Sequence, residues 1–241
     1  AATGGDITGA ALSAALADNN VVLDSVSGAQ QGSGHLFVRD EVRWSGNRLT
    51  LRAQGDIHLY SDLVGSGSAQ LTLAYGLASA NGGTSDYHLH NGTRVYLPEG
   101  PNLSLQKGSV GTNQKTYQVI TQGTMPATAG NVAFTGMNND TNGFYALGSS
   151  ISNVRFEYQD QDGIVKGLFN GQFHGLGHQL LKFINNQSTD MLDALGGPPV
   201  TNYSVGLFRE IGAAGVLRDF QMVEGFFSLI AEAGGYPCYV G

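Results

Sequence analysis

Asn47-Arg-Leu-Thr-Leu-Arg-Ala-Gln-Gly-Asp-Ile-His-Leu-Tyr-Ser-Asp-Leu-Val-Gly-Ser-Gly-Ser-Ala-Gln-Leu-Thr-Leu-Ala-Tyr75 decides the fold. It holds three short alternating runs: Leu49-Thr-Leu51, Ile57-His-Leu59 with Leu63, and Leu71-Thr-Leu73. Period two puts alternate side chains on one face of a strand. No run is long enough to bury a core by itself. Runs of near-equal spacing, punctuated by Gly, Asn, Ser and Asp, bury their apolar faces by stacking on one another. In such a stack each coil hydrogen-bonds the coils above and below, and aliphatic ladders fill the inside.

Working outward, Thr8 is placed to cap a helix within residues 7–17, with Leu12 and Leu16 on one face. This helix, with Trp44 nearby, is the expected cap on the open end of the stack. Val21-Val-Leu23, His35-Leu-Phe-Val38 and Val42-Arg-Trp44 are expected strands before the decisive stretch. After it, Tyr87-His-Leu-His90, Thr93–Leu97, Leu103-Ser-Leu105 and Tyr117–Ile120 continue the rhythm. From Asn142 the texture changes. Gly143–Phe156 and Gly206–Phe220 read as two copies of one unit, with Gly167–Phe183 between them. The expected organisation is a single domain: cap and first coils over 1–45, regular coils over 46–141, and repeats over 142–241. A protruding loop is expected at 185–200, with one helical turn near Met191–Leu195.

Composition narrows the function classes. Among 241 residues, 36 glycines indicate many tight turns, and a 41% hydrophobic share is too high for a disordered chain. A net charge of -7 without a basic stripe excludes nucleic acid and anionic membranes as expected partners. The longest apolar run, near Gly225–Ala231, is too short to insert into a bilayer. Cys238 is the sole cysteine, so no internal disulfide forms. The start at Ala1 reads as a processed protein or a fragment.

Three segments carry a resemblance: Gly34–Ser45, Leu49-Thr-Leu-Arg-Ala-Gln-Gly-Asp-Ile-His-Leu59, and Gly67-Ser-Ala-Gln-Leu-Thr-Leu-Ala-Tyr-Gly76. In this order they resemble the filamentous-haemagglutinin-type exoproteins of bacterial two-partner secretion. Gly171-Gln-Phe-His-Gly-Leu-Gly-His178 and Gly206-Leu-Phe with Ile211-Gly212 resemble repeats of such adhesins. The resemblance implies an all-β, right-handed parallel β-helix with extra-helical loops. It also implies export to the bacterial cell surface through an outer-membrane transporter. The roles it implies are adhesion to host or neighbouring cells, matrix-glycan binding, toxin delivery or haem scavenging. Arg209 stands where the repeat has Gly, and an Asn-rich secretion motif is not found; both place the segment after the secretion domain.

The expected function is therefore a non-enzymatic adhesin segment, binding glycan or protein ligands through loops on a stalk. The alternatives are a polysaccharide hydrolase or lyase on the same fold, and a binder of a host haem carrier. No catalytic residue, metal site or cofactor is expected. The candidate ligand-binding residues are Tyr87, His88, His90, Tyr158, Asp160 and Asp162. His88 and His90 lie two apart, on one strand face, where two imidazoles can reach one metal; a plain surface pair is the favoured reading. Tyr87 and Tyr158 offer ring faces to a sugar. Asp160 and Asp162 offer the carboxylates of a glycoside-cleaving pair or of a weak calcium turn. His174 and His178 have the spacing of a zinc-binding helix, but Gly-Leu-Gly between them defeats a helix. They are expected to cap a turn or line the coil surface. Residues 78–86 and 185–200 are the loops expected to carry ligand contacts.

Overall fold

The architecture is that of a computed structural model, which describes residues 6–27, 32–121, 134, 136–152, 155–156, 165–181, 184–185, 207–223 and 226–227. Among the described residues the chain is mostly β-strand, with a short α-helix near the start and 3-10 turns at Gly111–Asn113 and Gly136–Asn139, and no helix among them is long and apolar enough to cross a membrane. Tyr158, Asp160, Asp162, Cys238 and the loop at 186–200 lie outside the described residues.

Helix α1 spans Gly9–Asp18. Thr8 caps it by accepting the Ala11 N–H, and its buried face is Gly9, Leu12 and Leu16. Asn19 ends it in extended backbone. Leu12 and Leu16 enter the same core as the strands that follow, so the helix covers the first turn of the stack. Asn47 adopts the left-handed region (φ 61°) and donates from Nδ2 to the Leu16 and Ala17 carbonyls, at 2.9 and 3.3 Å. Those are orphan carbonyls of the helix end. Asn47→Ala should cost about 1–2 kcal/mol, from a lost cap and a strained φ, read as a lower denaturant midpoint.

Ten strands follow in the first half: β1 (Val21–Asp24), β2 (Leu36–Val38), β3 (Val42–Trp44), β4 (Arg48–Arg52), β5 (Ile57–Leu59), β6 (Leu63–Gly65), β7 (Gln70–Tyr75), β8 (Tyr87–Leu89), β9 (Val95–Tyr96) and β10 (Gly100–Lys107). β1 to β7 each pair in parallel with the third strand after them, giving β1-β4-β7-β10, β2-β5-β8 and β3-β6-β9. Leu49 lies between Val21 and Leu71, and Leu71 beside Leu103; Leu51 lies between Leu23 and Leu73, and Leu73 beside Leu105. These are the ladders that the alternating runs predict. Leu49, Leu51, Ile57, Leu59, Leu63 and Leu73 are fully buried. Trp44 is also core.

The expected uniform rhythm breaks after β10. The chain passes a 3-10 turn at Gly111–Asn113 and returns as β11 (Gln114–Ile120), antiparallel to β10. Gly108 permits the reversal: its φ is +84°, and a Cβ there would lie 2.3 Å from the Ala80 carbonyl oxygen. The loop that precedes β8 packs on this corner, with Ser109 N–H donating to Ser79 O at 2.9 Å.

Beyond β11 the strands run in the new direction. These are β12 (Phe144–Leu147), β13 (Ile151–Ser152), β14 (Arg155–Phe156), β15 (Val165–Phe169), β16 (Gln172–His174), β17 (Gln179–Leu181), β18 (Ile184–Asn185), β19 (Phe208–Ile211), β20 (Val216–Arg218), β21 (Gln221–Val223) and β22 (Phe226–Phe227). β12, β16 and β20 extend the first sheet to eight strands; β13-β17-β21, β14-β18-β22 and β15-β19 stack in parallel beside it. The repeat register differs from the expected one. Val216 lies on Gln172, and Gln172 on Phe144, so Gly215 and not Gly206 corresponds to Gly143. Leu207 instead leads into β19, where Phe208 sits on Val165.

The eight-stranded sheet is shared by two cores. Tyr117, Val119 and Ala146 belong to the core of the first stack, whereas Ile120, Tyr145, Leu147 and Phe173 belong to a second core with Phe169 and Leu180. Neighbouring residues of one strand point to opposite faces. The two stacks therefore occupy opposite faces of one sheet.

Candidate functional site

The outward face of the β2-β5-β8 sheet gathers ring and charged side chains. Phe37 pairs with His58, and His58 with His88. The inward neighbours Val38, Ile57, Leu59 and Tyr87 are buried. Alternation then places three rows on the outside: His35, Phe37 and Arg39; Asp56, His58 and Tyr60; Asp86, His88 and His90.

The rings stack along the sheet. Phe37 and His58 are near-parallel at 5.1 Å between centroids, His58 and His88 at 5.0 Å, and Tyr60 and His90 at 4.2 Å. The Arg39 guanidinium lies 5.4 Å from the Phe37 centroid and 5.2 Å from that of Tyr60. Phe37 is 46% exposed, an open apolar ring at the edge of this face.

A polar thread joins the columns. His35 Nδ1 accepts the Asp56 N–H at 2.9 Å and lies 3.4 Å from Asp56 Oδ2. His58 Nε2 is 4.0 Å from the same oxygen, and His58 Nδ1 is 3.1 Å from His90 Nε2. Asp56 Oδ1 accepts the Asp86 N–H at 2.9 Å. Burial, then the neighbouring His88 imidazole, hold the His58 pKa below the ordinary histidine value, so His58 is neutral at pH 7. Gly55 makes room for His35: a Cβ there would meet ring atoms of His35 at 2.8 Å. His35, Asp56 and His58 each offer one ligand atom, all within 4.8 Å of one another.

The structure divides the expected site residues. His88 and His90 do share an outward face, and His58 joins them. Tyr87 does not. It points inward and is fully buried, so it offers no ring face to a sugar. Its hydroxyl donates to Asp219 Oδ2 at 3.1 Å, and His174 Nδ1 lies 2.7 Å away. Arg218 stacks 4.3 Å from the Tyr87 centroid, donates to the Tyr87 carbonyl, and pairs with Asp86 at 2.7 Å and Asp219 at 2.6 Å. His174 and His178 are not on the coil surface either: both are buried. His178 Nε2 donates to the Val95 carbonyl at 2.9 Å.

His35, Asp56, His58 and Tyr60 were not singled out by sequence reasoning. A signal existed: Asp56-Ile-His-Leu-Tyr60 and Asp86-Tyr-His-Leu-His90 are one five-residue pattern repeated at successive coils. Chemically, the face combines aromatic surface, carboxylates and neutral imidazole. Compared with known proteins, the chain matches no family model, no curated protein and no solved structure.

Proposed function

We propose that this chain is a ligand-binding segment of a secreted bacterial surface adhesin, and that the outward face of β2-β5-β8 holds a glycan. The scaffold in this reading is a right-handed parallel β-helix. The pairing of every third strand in the first half supports the coil, and parallel crossovers are right-handed in nearly all proteins. Export through an outer-membrane partner belongs to the same reading.

One observation carries the binding role. Phe37, exposed at the edge of the ladder, lies beside Arg39, and Asp56 stands on the neighbouring strand of the same face. A sugar presents an apolar C–H face and a rim of hydroxyls. An aromatic ring covers the first, and carboxylates and a guanidinium bond the second. The rings of this face already stack on one another, so binding orders few side chains.

The test is a glycan array followed by titration of the best binder, with Phe37→Ala and Tyr60→Ala beside the unsubstituted chain. Each substitution should weaken binding about tenfold, the loss of roughly 1–1.5 kcal/mol of ring contact. Circular dichroism should be unchanged, since both side chains lie outside the ladders. Absence of saturable binding to any glycan would overturn the reading, as would release of new reducing ends from a bound polysaccharide.

A further inference from the structure

We infer that His35, Asp56 and His58 form a binding site for one divalent transition metal ion of the zinc class. This inference shares Asp56 with the glycan reading but otherwise uses the edges of the imidazoles and not the ring faces, so titration with metal alone tests it separately.

The convergence is on one oxygen. Asp56 Oδ2 faces His35 Nδ1 at 3.4 Å and His58 Nε2 at 4.0 Å. Ligands of a tetrahedral zinc ion, bonded at about 2.0–2.2 Å, lie roughly 3.3–3.5 Å apart. The His35 and Asp56 atoms already have that spacing; His58 must close on Asp56 by about half an ångström, and on His35, from within 4.8 Å, to the same spacing. Two imidazoles and a carboxylate are ligand types that zinc accepts, and a fourth position is left for water or a ligand.

The outer contacts fit as well. A metal-bound histidine usually donates its second ring N–H to a fixed acceptor, which sets the tautomer and aims the ring. His58 Nδ1 lies 3.1 Å from His90 Nε2, so His90 supplies that acceptor. Phe37 and His88 hold the His58 plane from either side. Asp56 Oδ1 is held by the Asp86 N–H, which leaves Oδ2 for the ion. Gly55 lets His35 fold down beside Asp56. One bond must be exchanged: the His35 Nδ1 lone pair turns from the Asp56 N–H to the metal.

The experiment is calorimetric titration of the tag-free chain with zinc, alongside the visible absorption of the cobalt(II) form. One equivalent should bind with micromolar affinity or better, and cobalt should show the intense bands of a tetrahedral site. His58→Phe keeps the ring stack but removes the ligand; it should weaken binding at least 100-fold. His90→Phe should weaken it about 10–100-fold, as loss of an orienting partner does. His88→Phe should leave affinity within about threefold. No binding below millimolar zinc would overturn the inference. So would binding that survives His58→Phe, or binding abolished by His88→Phe, which would assign the metal to the His88 and His90 pair.

Discussion

Lowering the pH from 7.5 to 4.5 should remove on the order of 5 kcal/mol of stability, and His174 and His178 are the reason. Burial lowers the His174 pKa to about 3, with the Arg218 charge as a smaller cause. Burial lowers the His178 pKa to about 4, against a hydrogen bond to Val95 that raises it. The hydrogen bonds define the neutral forms. Tyr87 donates to Asp219, so His174 Nδ1–H donates to the Tyr87 oxygen. His178 carries its proton on Nε2. That leaves His174 Nε2 and His178 Nδ1 as buried lone pairs without a partner among the described residues. A proton placed on either would be a buried charge with no acceptor. The unfolded chain takes up protons near the ordinary histidine value, and the folded chain resists them to about 4 and about 3. The contribution is complete above roughly pH 6.5 and is lost as the pH falls toward those values. Denaturant titrations at a series of pH values measure the slope. His178→Leu should remove about half of it. A flat profile between pH 7.5 and 4.5 would show that both imidazoles meet solvent.

Arg218→Met should lower stability by about 3 kcal/mol. Arg218 joins β20 to Asp86 and the Tyr87 carbonyl of the first stack, 132 and 131 residues away in sequence. It also bonds Asp219 at 2.6 Å. Its side chain and those of Asp86 and Asp219 are only a quarter to a third exposed. Removing the guanidinium leaves the Asp86 and Asp219 carboxylates without their shared cation and a carbonyl unmet, with little water to compensate. Most of the cost is therefore charge left behind. Adding Asp86→Asn and Asp219→Asn to Arg218→Met should recover at least half of the loss, a coupling that denaturation of the single and combined variants measures. A change below about 0.5 kcal/mol for Arg218→Met would mean the clamp is solvated.

The ladders of the first stack were legible because polar residues alternate with the leucines, even at Thr72, which is buried. Leu49-Thr-Leu51 alternates in sequence because Thr50 faces outward. Leu103-Ser-Leu105 and Tyr117–Ile120 alternate in the same manner, yet they pair antiparallel. Period two is the same for both directions, so the reversal left no trace in the pattern. Where one sheet serves two cores, alternation disappears: Tyr145, Ala146 and Leu147 are all buried. The repeat register slipped because Gly206-Leu-Phe and Gly143-Phe-Tyr are alike in composition, although they belong to different sheets. His174 and His178 looked like surface residues because a histidine in a Gly-rich turn carries no sign of what packs over it. The candidate face was half legible. His88 and His90 stood out as a pair, whereas His35, His58 and Asp56 join them only through register, which depends on loop lengths between strands.

The dependence of Tyr87 on residues 174–219 also orders events in time. A chain made from its N-terminus can stack β1 to β9 strand upon strand, each strand pairing with the one three places before it. The last coil then waits. The Tyr87 hydroxyl and Asp86 Oδ2 gain their partners in the second half when His174, Arg218 and Asp219 have emerged. Until that moment the first stack has one finished end, under α1, and one unfinished end. β20 and the residues beside it thus act as the latch for the beginning of the chain.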